Sequence, residues 1–153
     1  YEDFIVKDHY EMKPGEFLLG ETFEYLGTTS NYVIKLLNSS SLARVGISQA
    51  ALGMINAGCG MKTPIKLTLE LINNSPIPIV LKPTKILPDG KIKWGTEALK
   101  ICIVRMDEPP KVPYDQWKYG VYSTDKMVTG TKMAKRFPEY NFFLPKNSFH
   151  KGH

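Results

Sequence analysis

The stretch Ile65-Lys66-Leu67-Thr68-Leu69-Glu70-Leu71 alternates aliphatic and polar side chains from end to end. Successive side chains of a β-strand point to opposite faces, so this period of two predicts a strand that buries its odd-numbered positions. The even-numbered positions share the other face, where Glu70 accompanies Lys66 and Thr68. We therefore expect a sheet with one packed face and one polar face that carries a carboxylate.

Shorter strand patterns occur on both sides of this stretch, and turn residues separate them. The predicted strands cover residues 17–26, 32–37, 77–81 and 99–105. The predicted turns are the Gly-, Asn- and Pro-rich segments 27–31, 73–76 and 87–91. Helical patterns are confined to residues 40–45 and 124–136. Many short strands with so little helix predict an all-β fold, a sandwich or jelly roll.

The chain has 153 residues, which is enough for one domain with its own core. We expect a β domain over residues 1–106, because Asp107-Glu108-Pro109-Pro110-Lys111-Val112-Pro113 is typical of a linker. The segment that follows is aromatic and basic without clear periodicity. We expect residues 107–153 to form a linker and a tail that wrap over the domain or over a neighbouring subunit.

Composition narrows the class of protein. Hydrophobic residues make up 42 % and charged residues 23 %, and no apolar run approaches the ~20 residues that span a bilayer, so we expect no membrane partner. The net charge of +5 fits an anionic small molecule and does not require nucleic acid, which we do not expect as a partner. Cys59 and Cys102 lie in no CxxC motif, so we expect neither disulfides nor structural zinc. Such sparse cysteine use is typical of a reducing compartment, and we expect a cytoplasmic protein.

A second informative segment, residues 36–46, leads from a strand through Ser39, Ser40 and Ser41 to Arg44. Hydroxyls at the start of a helix, together with a guanidinium, can form a corner that binds an anion such as phosphate. The simpler interpretation is a serine cap between strand and helix with a solvated arginine. The segment alone leaves both interpretations open.

Several common catalytic centres lack their motifs. The three histidines, His9, His150 and His153, lie near the ends and away from the serines, so a Ser–His–Asp triad has no obvious base. The chain contains no P-C-x-x-C zinc motif and no Walker motif. Any hydrolysis here is expected to use a carboxylate, a hydroxyl and water.

The order of motifs resembles the dCTP deaminase branch of the dUTPase/dCTP deaminase superfamily. The resemblance covers about residues 13–105, and its most specific block is Ser40-Ser41-Leu42-Ala43-Arg44-Val45-Gly46. The other blocks are K-P-G-E-F-L-L-G from 13, G-M-I-N-A-G from 53, L-T-L-E-L-I-N from 67 and P-I-V-L-K-P from 78. The resemblance implies a distorted β jelly roll, a homotrimer with active sites between subunits, and a tail that closes over the nucleotide. It also implies dCTP or dUTP as ligand, with Mg²⁺ carried by the triphosphate and no zinc.

The resemblance also implies roles for individual residues. Glu70 would activate the water that attacks cytosine C4, Ser40 would help to hold that water, and Arg44 would complete the catalytic set. The residues that would bind the substrate are Ser39, Ser41, Asn56, Tyr119, Lys126 and Lys132.

Two departures from the family pattern keep other functions open. Asn38-Ser39 stands where the family usually has Gly-Arg, and Asn56 stands where it has the aspartate that acts as base in dUTPases. Asparagine keeps hydrogen bonding but cannot accept a proton. Deamination of dCTP to dUTP is the leading hypothesis. The alternatives are a catalytically impaired nucleotide-binding or scaffold homotrimer, and a dUTP diphosphatase.

Overall fold

The computed structural model describes residues 4–118, 120 and 122, and almost all of its regular structure is β. The strands are β1 (Tyr10–Met12), β2 (Phe17–Leu26), β3 (Tyr32–Asn38), β4 (Ile47–Gln49), β5 (Met54–Ile55), β6 (Ile65–Asn73), β7 (Ile79–Leu81), β8 (Lys85–Ile86), β9 (Ile92–Lys93) and β10 (Leu99–Arg105). One short helix, α1 (Ser40–Arg44), and one 3-10 turn, Tyr114–Gln116, complete the described part of the chain.

All strand pairs in the described residues are antiparallel. One three-stranded sheet has the order β2-β6-β4, and a second has the order β10-β3-β5. Two further pairs, β1 with β7 and β8 with β9, accompany them. The long strand β6 is central in its sheet and pairs with both β2 and β4, so it fixes the positions of the shorter elements around it.

Strand β6 contributes aliphatic side chains to two hydrophobic cores. Leu69 and Leu71 belong to the first core, whose other buried members are Met12, Ile47 and Leu81. Ile65 belongs to the second core, together with Ile34, Ile55 and Cys59. The even-numbered residues of β6 are half-buried on the opposite face, as the alternation predicted.

The all-β class predicted from the sequence is confirmed, and so are the long strands β2, β3, β6 and β10 and the helix at 40–44. The prediction was wrong at β7, which begins at Ile79 and not at 77, because the Ile77 carbonyl accepts hydrogen bonds from Asn73 and Ser75 within the turn. Cys59 and Cys102 are free thiols. The predicted helix at 124–136 lies outside the described residues. Nowhere in the part of the chain described does a helix have the length and apolarity to cross a lipid bilayer.

Asn73, the last residue of β6, is a fully buried polar side chain that organises the turn after the strand. Its Nδ2 donates to the carbonyl oxygens of Met12, at 2.9 Å, and Ile77, at 3.0 Å. Its Oδ1 accepts from the backbone N–H of Ser75 at 2.9 Å. One amide therefore pairs the buried Met12 carbonyl and the Ser75 N–H, two backbone groups whose loss of a hydrogen-bond partner is costly.

Replacing Asn73 by Ala should lower the free energy of unfolding by about 3 kcal/mol or more, because it leaves those backbone groups unsatisfied. Urea unfolding followed by circular dichroism measures this loss. The matched control is Asn74→Ala, since Asn74 is exposed and donates only to the Ser48 hydroxyl. The control should change stability by about 1 kcal/mol or less, and equal losses in the two variants would contradict the role given to Asn73.

Candidate active site

Glu70 lies on β6 at the position where the neighbouring strand β4 ends. Its backbone N–H donates to the side-chain Oε1 of Gln49 at 2.9 Å, and its carbonyl accepts from the N–H of Ala50 at 2.6 Å. The side chain of Gln49 thus continues the hydrogen-bonded ladder after β4 has left the sheet. On the other side Glu70 is paired with Leu19 of β2. The backbone that carries the candidate carboxylate is therefore held from both sides.

Gln49 also connects Glu70 to the serine-rich segment. Its backbone N–H donates to Asn38 Oδ1 at 3.2 Å, and Asn38 is the last residue of β3, directly before Ser39. The two hydrogen bonds of Gln49 join the start of the Ser39–Arg44 segment to the Glu70 position. The Nε2 of Gln49 is buried and has no hydrogen-bond partner among the described residues, an arrangement that costs roughly 1–3 kcal/mol if it stays unpaired.

The serines differ in how they are placed. Ser39 is the N-cap residue of α1 but makes no side-chain cap hydrogen bond; its hydroxyl instead lies 3.4 Å from the Glu97 carboxylate. Only 1 % of Ser39 is exposed, so direct contact with a ligand would require this buried contact to open. Ser40 and Ser41 are exposed. These two hydroxyls are the accessible part of the predicted corner.

Arg44 is exposed at the C-terminal end of α1. It lines a surface cavity of about 480 Å³ with the turn residues Ser75, Pro76 and Ile77. Along β4 the register runs from Ile47 opposite Asn73 to Gln49 opposite Leu71. Glu70 therefore lies three residues along β6 from Asn73, about 10 Å at the rise of a strand. Within one chain, Gln49 links Glu70 to Asn38, the residue before Ser39. Arg44 lines the cavity beside the turn after β6.

Asn56 lies in the loop after β5, on the sheet that does not contain Glu70. Its side chain is exposed, and its carbonyl accepts from the Thr28 hydroxyl at 3.0 Å. Strand β5 pairs antiparallel with Ile34 and Lys35 in the middle of β3, so the chain after Ile55 continues toward the Tyr32 end of β3 and away from Asn38. The structure therefore does not bring Asn56 next to the Ser40 end of α1 within one chain.

The segment after residue 106 packs against this loop of the same chain. Asp115 accepts from the backbone N–H of Gly60, at 3.0 Å, and of Lys62, at 3.4 Å. The N–H of Tyr114 donates to the Ala57 carbonyl at 3.0 Å. The first residues after the predicted proline-rich linker thus shape the loop that carries Asn56.

Lys66, on the same face of β6 as Glu70, serves the fold. Its ammonium donates to the carbonyls of Thr22, at 2.7 Å, and Phe23, at 2.9 Å, where the pairing of β2 with β6 is irregular. It also lies 3.6 Å from the Glu21 carboxylate. These contacts bind the Lys66 charge to β2, so Lys66 does not act as a free cation beside Glu70.

Three of the predicted substrate-binding residues cannot be placed. Tyr119, Lys126 and Lys132 lie outside the described residues. Among residues 4–118, 120 and 122, no group of three or more His, Cys, Asp and Glu side chains is arranged to hold a metal ion.

Sequence reasoning missed Gln49, Asn73 and Asp115. The alternation of β6 contained a signal for Asn73, because a polar residue at an odd position must be satisfied inside the core. For Gln49 and Asp115 the sequence holds no such signal, since their partners are 21 and 55 residues away.

Comparison of the sequence with models of known protein families identifies the family of this chain. The family model described as dCTP deaminase-like matches residues 2–87, which is more than half of the chain. The chain belongs to the dCTP deaminase-like family. The match includes β6, Glu70 and the Ser39–Arg44 segment, and it ends within the β8–β9 hairpin.

Curated relatives of this family match over most of the chain. A protein from Nocardioides sp. named dCTP deaminase, dUMP-forming, is 31 % identical over 110 residues, covering 71 % of this chain and 50 % of its own. One of the same name from Dictyoglomus turgidum is 30 % identical over 124 residues, covering 80 % of this chain and 56 % of its own. The chain thus spans about half the length of these relatives.

Among solved structures, a mutant dUTPase from phage phi11 of S. aureus, described with a structural Mg(II) ion, aligns with a TM-score of 0.44. The two share 16 % sequence identity, and the alignment covers 72 % of this chain and 80 % of the dUTPase.

Gly46 sets the turn between α1 and β4, and its substitution tests that geometry. It has φ +90°, and a Cβ there would lie 2.7 Å from the Ser75 Cβ. Gly46→Ala should lower the free energy of unfolding by about 2 kcal/mol or more. Gly90→Ala is the matched control, since Gly90 has φ +80° with open space around it and should cost only about 1 kcal/mol. Chemical denaturation of both variants measures the difference, and a smaller loss for Gly46→Ala would contradict the close approach to Ser75.

Proposed function

We propose that this protein deaminates dCTP to dUTP by hydrolysis, with Glu70 as the residue that activates water. The observation that carries the proposal is the anchoring of Glu70 within a dCTP deaminase-like domain, where Gln49 ties its backbone to the segment that carries Ser40. A half-buried carboxylate on a strand held from both sides suits proton transfer to and from a bound water.

The reaction balances with groups that the chain supplies. Glu70 takes a proton from water, whose oxygen bonds to C4 of the cytosine ring, and returns a proton to the amino group. The C4–N bond breaks, ammonia leaves and the ring becomes uracil. The Ser40 hydroxyl would hold the attacking water, and Ser41 would face the phosphates. No zinc takes part in this proposal, and Mg²⁺ would arrive with the triphosphate, from whose oxygens it takes most of its ligands.

We further propose that the site is completed between copies of the chain in a homotrimer. Arg44 and Asn56 lie away from the Ser40–Glu70 side of a single chain, which supports a site that draws on a second subunit. Arg44 of one copy would meet the phosphates or the developing charge beside Glu70 of its neighbour. Tyr119, Lys126 and Lys132 remain proposed contacts of the tail with the nucleotide.

A second candidate is release of pyrophosphate as well as ammonia, because the curated relatives are named dUMP-forming. Asn56 argues against this step, since an asparagine cannot act as the base for attack on the phosphate chain. A nucleotide-binding trimer without turnover is the remaining alternative, favoured by Ser39 and Asn56 at positions where the family carries charged residues.

Glu70→Gln should reduce ammonia release from dCTP by roughly 10²–10⁴-fold, the usual contribution of a general acid–base residue. The protein should stay folded, because the Glu70 backbone makes the hydrogen bonds that hold the strand. Enzyme-coupled detection of ammonia measures turnover, and circular dichroism measures folding. Glu24→Gln is the matched control, since Glu24 is an exposed carboxylate of β2. Full activity of Glu70→Gln would overturn the assignment.

Incubation of the wild-type chain with dCTP and Mg²⁺ should yield ammonia and dUTP in equal amounts, with no pyrophosphate. Chromatography of the nucleotides together with a pyrophosphate assay separates the candidates. Formation of dUMP with pyrophosphate would favour the second candidate, and tight binding without any product would favour the scaffold alternative.

A further inference from the structure

Two polar groups beside each other at the candidate site lack partners. The Nε2 of Gln49 is buried without a hydrogen bond to any described residue. The carboxylate of Glu70 makes no side-chain hydrogen bond or ion pair with any residue of the described part either. The buried Gln49 donor without a partner calls for an explanation, and the half-buried Glu70 carboxylate is an acceptor on the residue that the same amide already contacts.

The geometry places the Gln49 amide against the backbone of Glu70. Gln49 Oε1 accepts from the backbone N–H of Glu70 at 2.9 Å, and Nε2 is bonded to the same carbon as Oε1. The amide that binds the Glu70 backbone therefore holds its free N–H₂ beside the residue that bears the carboxylate. The Gln49 backbone is itself fixed by pairing with Leu71 and by Asn38, so Gln49 is a firm support.

We propose that Gln49 is a positioning residue for Glu70. With a rotation of the Glu70 side chain, Gln49 Nε2 donates to the carboxylate while Oε1 keeps its bond to the Glu70 N–H. One carboxamide then holds both the backbone and the side chain of the same residue. A neutral donor orients the carboxylate without adding a charge, and the second carboxylate oxygen stays available for water. The catalytic consequence rests on the proposed deamination, whereas the contact itself does not.

The contact can be tested without any turnover, by NMR of the side-chain amides in the free protein. The chain has two glutamines, Gln49 and Gln116, so the Gln49 N–H₂ signals are assigned by their loss in Gln49→Met. A proton donated to a carboxylate is bound more strongly than one donated to a neutral amide. In the wild type one Gln49 N–H₂ proton should therefore lie downfield of its position in Glu70→Gln, and Glu24→Gln should leave it unchanged. Identical positions in the wild type and in Glu70→Gln would overturn the proposal.

Steady-state kinetics with dCTP test whether the contact between Gln49 and Glu70 affects turnover. Gln49→Glu keeps an oxygen for the Glu70 N–H but loses the donor, so kcat for dCTP should fall at least about tenfold, the scale of one lost hydrogen bond, with KM changed by less than about twofold. Gln49→Glu also adds a negative charge beside Glu70, so the NMR result identifies the contact, and an unchanged kcat of the folded variant would contradict the positioning role. Gln116→Glu makes the same change at an exposed position and should match the wild type.

The two arms separate this proposal from the proposed function. A downfield N–H₂ proton in a protein that releases no ammonia would support the contact and contradict the deamination. Normal deamination by Gln49→Glu would overturn the positioning role and leave the proposed deamination unaffected. The same holds for a Gln49 N–H₂ signal that has the same position in the wild type and in Glu70→Gln.

Discussion

The two-residue alternation of β6 is the constraint on which the rest of this structure depends. Ile65, Leu69 and Leu71 enter the two cores of the described chain, so β6 cannot shift by one residue without exchanging its buried and open faces. That same constraint holds Glu70 on the polar face. The packing of the aliphatic residues of β6 in the two cores therefore determines the position of the Glu70 carboxylate.

The surroundings of Glu70 follow from where the neighbouring strand stops. Because β4 ends at Gln49, the backbone of Glu70 is held by a side chain and by Ala50 in place of a continued strand. At the end of β6, the side-chain amide of Asn73 likewise holds backbone groups by hydrogen bonds. It stabilises the turn that lines the cavity beside Arg44.

The fold could be predicted from the sequence where the signal was local and long. Strands of seven or more residues with clear alternation or turn boundaries were found, whereas β1, β4 and β5, with three or two residues, were too short to leave a pattern. The same limit applies to the site. Glu70 and the Ser39–Arg44 segment were identified by motif, but the role of Gln49 depends on partners that only the folded chain brings near. The loop that carries Asn56 is held by Asp115, in a segment that the sequence predicted to wrap over the domain or a neighbouring subunit without indicating which residues it contacts.

We propose that a dCTP-deaminating site forms from Glu70 of one chain and Arg44 of another. Mixing two inactive variants, Glu70→Gln and Arg44→Ala, tests it most directly, with ammonia release from dCTP as the readout after subunits have exchanged. Each variant alone should release almost no ammonia, and the mixture should recover part of the wild-type rate, because some shared sites then contain both native residues. No recovery in mixed oligomers whose exchange is verified would contradict the shared site.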